Sequence, residues 1–110
     1  MQPCIFCRIV EGAIPTPFVY KDDEIVAFSD IQPQAPVHLL VVPRRHVGSL
    51  NEADDDMLLG RLLASARKAA AQAGLEQYRI VVNTGADAGQ SVLHLHLHVL
   101  GGRVMAWPPG

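Results

Sequence analysis

Three histidines, His94, His96 and His98, occupy alternate positions in the run from Ser91 to Leu100, with Val92, Leu93, Leu95, Leu97, Val99 and Leu100 around them. Alternation at period two is the pattern of a half-buried β-strand, so all three imidazoles are expected on one face and Leu93, Leu95, Leu97 and Val99 on the other. Each two-residue step along a strand covers roughly 6.6 Å, which lets neighbouring rings serve one small anionic ligand or the junction of two sites. Two chemistries fit such a row. Neutral imidazoles at i and i+2 can ligate one zinc ion whose open position activates water. Alternatively, one imidazole attacks phosphorus while its neighbours hold the non-bridging oxygens, because a side chain with a pKa near about 6.5 supplies both a neutral nucleophile and a cationic donor. Spacing alone leaves both open.

These residues need a scaffold, and 110 residues suit a single domain spanning 1–110 that gains from self-association. The hydrophobic share of 49% is high, yet no apolar run approaches the roughly 20 residues needed to span a bilayer. Met1-Gln2-Pro3-Cys4 lacks a basic segment followed by an apolar stretch, so the expected location is the cytoplasm. A net charge of −2 with only nine basic residues argues against nucleic acid as a partner and for a small ligand. The spacing Cys4-x-x-Cys7 suits a metal or redox pair better than a disulfide framework.

Along the chain, Ile5 to Glu11 is a short apolar segment stopped by Gly12 and Pro15, predicted as two helical turns. Phe18-Val19-Tyr20 and Ile25 to Phe28 read as a hairpin around the polar turn Lys21 to Glu24. After a proline-bearing loop comes a nearly continuous apolar strand, His38 to Val42, ended by Pro43. One long helix follows. Asn51 is its expected cap, the acidic residues Glu52, Asp54, Asp55 and Asp56 suit the positive end of its dipole, and Gly74 is its expected stop. Leu58, Leu59, Leu62, Leu63, Ala66, Ala69, Ala70 and Ala73 form its core stripe. Tyr78 to Asn83 is a further strand, and a glycine-punctuated loop, Thr84 to Gln90, leads to the histidines. Five strands with few intervening helices give an α+β fold: a five-stranded antiparallel sheet with one long and one short helix.

The chain resembles the histidine triad family, and within it the Hint branch of nucleoside phosphoramidases. Ile5-Phe6 and Ile9, the block Ala27 to Pro36, the block Gly89 to Arg103 and the closing Trp107-Pro108-Pro109-Gly110 carry the resemblance over nearly the whole chain. It implies that His96 attacks the α-phosphorus of a purine nucleoside monophosphate derivative, forming a covalent nucleotidyl-histidine that water cleaves. His98, Ser91 and the backbone of Gly89 and Gln90 would donate to the phosphate oxygens, and His38 would orient the row or relay a proton. The base would lie among Ile5, Phe6, Ile9, Phe28 and Ile31, with Asp30 accepting from the ribose hydroxyls and Asn83 near the phosphate. Ser29 stands where this branch often has histidine.

The resemblance also implies a structural zinc ion held by Cys4, Cys7, His46 and His94, a closed Cys₂His₂ set that would staple residues 1–14 to the sheet. It further implies a homodimer that joins two sheets into one larger continuous sheet, each tail (residues 103–110) reaching towards the partner's active site. The favoured function is hydrolysis of the P–N bond of purine nucleoside 5′-phosphoramidates without a catalytic cofactor. Two alternatives stand beside it: a nucleotide-binding adaptor without turnover, and a zinc-dependent hydrolase using the three histidines as ligands.

Overall fold

The computed structural model describes residues 4–110, so Met1-Gln2-Pro3, part of the stretch read above for a leader, lie outside the described residues. The elements are α1 (Ile5–Val10), β1 (Tyr20–Lys21), β2 (Ile25–Ser29), β3 (Val37–Pro43), α2 (Asp56–Gln72), β4 (Tyr78–Val81) and β5 (Leu97–Gly101). All strand pairs are antiparallel, in the order β1-β2-β3-β5-β4, which bears out the expected α+β class.

The apolar runs of β2 and β3 are covered on both sides. Ile25, Ala27, Leu39 and Val41 pack with Leu97, Val99 and the α2 residues Leu58, Leu62, Ala66, Ala69 and Ala70. Val26, Phe28, Leu40 and Val42 pack instead with Cys4, Phe6 and Ile9 of the α1 region. A strand buried on both faces has no polar side to alternate with, which explains its unbroken hydrophobicity.

Two expectations about α2 change. Its cap is Asp55, whose Oδ1 accepts from the N–H groups of Met57 and Leu58 at 3.0 and 3.2 Å. Asn51 lies instead in a separate 3₁₀ turn, Leu50–Glu52, cut off from α2 by the extended backbone of Ala53. Leu63 is 57% exposed and leaves the stripe. At the other end Gly74, at φ +79°, closes a Schellman motif in which its N–H donates to Ala71 O and that of Leu75 to Ala70 O.

The histidine strand is shorter than its sequence pattern. β5 begins at Leu97, and Leu93 is 64% exposed instead of facing the core. The cause is in β3: Val41 pairs with Leu97, so continuing the register would set Leu95 against Pro43, which has no N–H for a ladder. Leu95 instead donates its N–H to Val47 O, and its side chain stays in the α2-side core.

Candidate functional site

The three histidines leave the same side of the chain but serve two places. His94 is fully buried, and its Nε2–H donates to Pro43 O at 2.8 Å. That bond leaves the Nδ1 lone pair pointing at sulfur, 3.3 Å from Cys4 Sγ and 3.6 Å from Cys7 Sγ. His46 Nδ1 stands 3.3 Å from Cys7 Sγ. The four donor atoms of Cys4, Cys7, His46 and His94 lie within 4.8 Å of one another, a set able to hold one metal ion. Burial and the adjacent Cys4 push the Cys7 thiol up to about 11, and burial holds His94 below the usual imidazole range against the opposing pull of the Pro43 carbonyl.

His96 and His98 face elsewhere, into a cavity of about 740 Å³ between α1, the 14–19 segment, β2 and the histidine run. His96 Nδ1–H donates to His94 O at 2.7 Å, which leaves Nε2 with a free lone pair on a ring that lines the cavity. Phe6 packs edge-on against this ring at 5.1 Å between centroids and against His94 at 5.8 Å.

Behind them runs a chain of oriented protons. The Gln34 N–H donates to His38 Nδ1 at 3.0 Å, so the neutral ring carries its proton on Nε2. This Nε2–H donates to His98 Nδ1 at 2.8 Å, with Asp30 Oδ2 3.4 Å away. His98 must then bear its own proton on Nε2. Among the described residues that atom is the one buried side-chain nitrogen or oxygen without a hydrogen-bond partner. A buried donor with nothing to donate to is costly, and here it stands beside the free lone pair of His96 in a cavity. Burial, reinforced by His96 and His38, pushes His98 down to about 4; burial also lowers His38, opposed by Asp30.

The cavity gathers Ile5, Phe6, Ile9, Phe28, Asp30, Ile31, His38, Ser91, His96 and His98 among its lining. Ile31 is a rim residue, 91% exposed. Asp30 Oδ1 accepts from the Gln32 N–H at 2.9 Å, which fixes the carboxylate at the end of β2. Sequence reasoning missed the 14–19 segment, whose Ile14, Pro15, Thr16, Pro17, Phe18 and Val19 wall the apolar end. Pro15 read only as the stop of the first helix, and Phe18-Val19 as strand, whereas β1 begins at Tyr20.

Asn83, Gly89 and Gln90 do not line the cavity. The N–H groups of Gly89 and Gln90 donate within their own turn, to Ala86 O at 3.0 Å and Gly85 O at 3.1 Å. Nor do the three triad histidines form one metal site: His94 turns to the cysteines, and His96 belongs to neither metal-capable cluster among the described residues. The second such cluster, Asp30, His38 and His98, is wired as a proton chain, with the His38 nitrogen nearest the others already protonated.

A family model described as the HIT domain matches residues 11–105. The chain belongs to the HIT family. An uncharacterized HIT-like protein of Synechocystis sp. is 50% identical over 112 residues, which cover 99% of this chain and 98% of the relative. The crystal structure of a HIT family hydrolase from Legionella pneumophila Philadelphia 1 has a TM-score of 0.92 at 49% identity, covering 97% of this chain and 99% of that one. A histidine triad nucleotide-binding protein from Candida albicans has a TM-score of 0.83 at 30% identity, over 96% of this chain and 82% of that one. In this HIT chain no helix among the described residues is long and apolar enough to cross a membrane.

Proposed function

We propose that this HIT protein hydrolyses the P–N bond of purine nucleoside 5′-phosphoramidates through a nucleotide bonded covalently to His96. The observation that carries the reading is the pairing of a free lone pair at His96 Nε2 with an unpartnered donor at His98 Nε2 in the same cavity. A nucleophile needs the first and a phosphate oxygen accepts from the second. Apolar walls at Ile5, Phe6, Ile9 and Phe28, with Asp30 beside them, suit a flat base and a ribose diol. The nucleotide binding named for the Candida albicans relative and the hydrolase naming of the Legionella relative agree with this reading.

In the first step His96 Nε2 bonds to the α-phosphorus and the P–N bond to the amine breaks. The electron pair of the broken bond goes to the amine nitrogen, which takes a proton relayed from solvent past Ser91, an exposed residue of the cavity lining. In the second step water attacks phosphorus and releases its proton to solvent by the same route, the His96–phosphorus bond breaks with its electron pair returning to Nε2, and the nucleoside monophosphate departs. The His38-to-His98 hydrogen bond keeps the His98 proton on the cavity side throughout.

Cys4, Cys7, His46 and His94 fit a structural zinc ion. Two sulfurs and two imidazole nitrogens converge, the His94 tautomer presents a lone pair, and the Pro43 carbonyl supports the far side of that ring. Bound there, zinc would pin α1, and with it Phe6, to the sheet; it takes no part in the chemistry. A homodimer fits β4 as the last strand of the sheet order, with Val104 94% and Trp107 81% exposed in the tail that follows β5. Arg79, on β4, donates to Ala106 O at 2.9 Å and lies 5.9 Å from the Trp107 ring centroid, tying the middle of the tail to that strand.

The test is turnover of an adenosine 5′-phosphoramidate before and after complete chelation. Turnover that survives chelation in folded protein supports the proposal. Nucleotide binding without turnover would favour the adaptor, and loss of turnover with the fold intact would favour the zinc hydrolase. Light scattering should give twice the chain mass, and a monomer would contradict the dimer.

A further inference from the structure

The stretch that carries His94 and His96 has no strand ladder of its own, since β5 starts only at Leu97. Something else must hold it. Gln90 is buried, and its carboxamide bridges three separate backbone points. Nε2 donates to Gly48 O at 2.8 Å, in the link from β3 to α2, and to Val92 O at 3.1 Å, two residues before His94. Oε1 accepts from the Gly85 N–H at 2.9 Å, at the far end of the preceding loop. Both amide protons and one acceptor position are thus engaged.

We infer that Gln90 is a positioning residue for hydrolysis: it sets Ser91 and the backbone leading to His94 O, and so the direction in which His96 presents its lone pair. The Gln90 side chain is turned to these backbone groups and does not line the cavity. Only a primary amide of this length meets two carbonyls and one N–H at once. Glutamate would turn an unprotonated oxygen towards Gly48 O and Val92 O, and methionine would leave all three backbone groups unanswered. Displacing a nucleophile by about 1 Å costs on the order of 100-fold in rate, and the apolar walls at Ile5, Phe6, Ile9 and Phe28 come from other elements.

The kinetic arm rests on the phosphoramidase reading; the spectroscopic arm does not. Gln90→Glu and Gln90→Met are compared with the unaltered protein and with His96→Ala. Expected are a kcat lower by about 100-fold, an AMP dissociation constant within about threefold, and loss or broadening of the His96 Nδ1 proton resonance in ¹⁵N-histidine spectra. A kcat within about twofold of the unaltered protein, or a fall in kcat and affinity together in step with the folded fraction, would overturn the inference. Should both variants fail to fold, exchange in the unaltered protein decides: slow exchange of both Gln90 carboxamide protons is required, and exchange at the rate of exposed glutamines refutes it. An unaltered protein with no phosphoramidate turnover sinks the functional reading, while the spectra still judge Gln90.

Discussion

His94 and His96 are two residues apart, on one side of one extended segment, both almost fully buried and both in contact with Phe6. Their hydrogen bonds nevertheless give them opposite tautomers. His94 is protonated on Nε2 by its bond to Pro43 O and offers Nδ1 to the cysteines; His96 is protonated on Nδ1 by its bond to His94 O and offers Nε2 to the cavity. Residue type and spacing are shared, so the division of labour comes from which carbonyl each ring meets. Backbone acceptors choose the function of an imidazole here.

The comparison breaks most decisively in rate. His96→Ala should lower phosphoramidate hydrolysis by at least about 10⁴-fold while AMP binding, measured by calorimetry, stays within a few-fold, because the apolar walls and Asp30 remain. His94→Ala keeps the nucleophile, so if the two rings do different work it must retain turnover well above the His96 variant.

Stability should respond in the opposite order. Cys4→Ser is expected to lower bound zinc from about one per chain and to cost more than about 2 kcal/mol, or about 10 °C in Tm for a domain of this size. His96→Ala should leave metal content unchanged. Metal analysis by mass spectrometry, paired with calorimetric melting, separates the two.

Acid sharpens the division further. His98 and His38 are held neutral, His98 with its pKa lowered to about 4. A lowered folded-state pKa means the unfolded chain takes up protons first as pH falls, so their contribution to stability is whole above about pH 6.5 and declines towards pH 4. Tm should fall across that window, and less steeply in His98→Gln. The smallest effect is a control remote from both rings: Asp55→Ala removes the α2 cap and should cost about 1 kcal/mol with turnover per folded molecule unchanged.

Much of this was legible in the sequence for physical reasons. Period-two alternation placed His96 and His98 opposite Leu95, Leu97 and Val99, because side-chain direction along an extended chain is local. The Gly74 stop was visible since its positive φ favours glycine. What failed depended on partners distant in sequence. Leu93 looked like a strand residue until Pro43, on another strand, removed the ladder it needed. Asn51 and Asp55 are both good caps, and the choice turned on the extended Ala53 between them. Gln90 sat in a loop and read as a ligand contact, whereas its carboxamide is engaged by Gly48, Gly85 and Val92, a set that only the folded chain assembles.

The most direct test of the central claim is the intact mass of enzyme quenched in acid-free denaturant during turnover of an adenosine phosphoramidate, followed by peptide mapping. The account requires an added adenylyl group on His96, absent from His96→Ala and unaffected by loss of the cysteine-bound metal while the fold persists. Steady turnover with no adduct on His96, or an adduct on His94 or His98 instead, would contradict it.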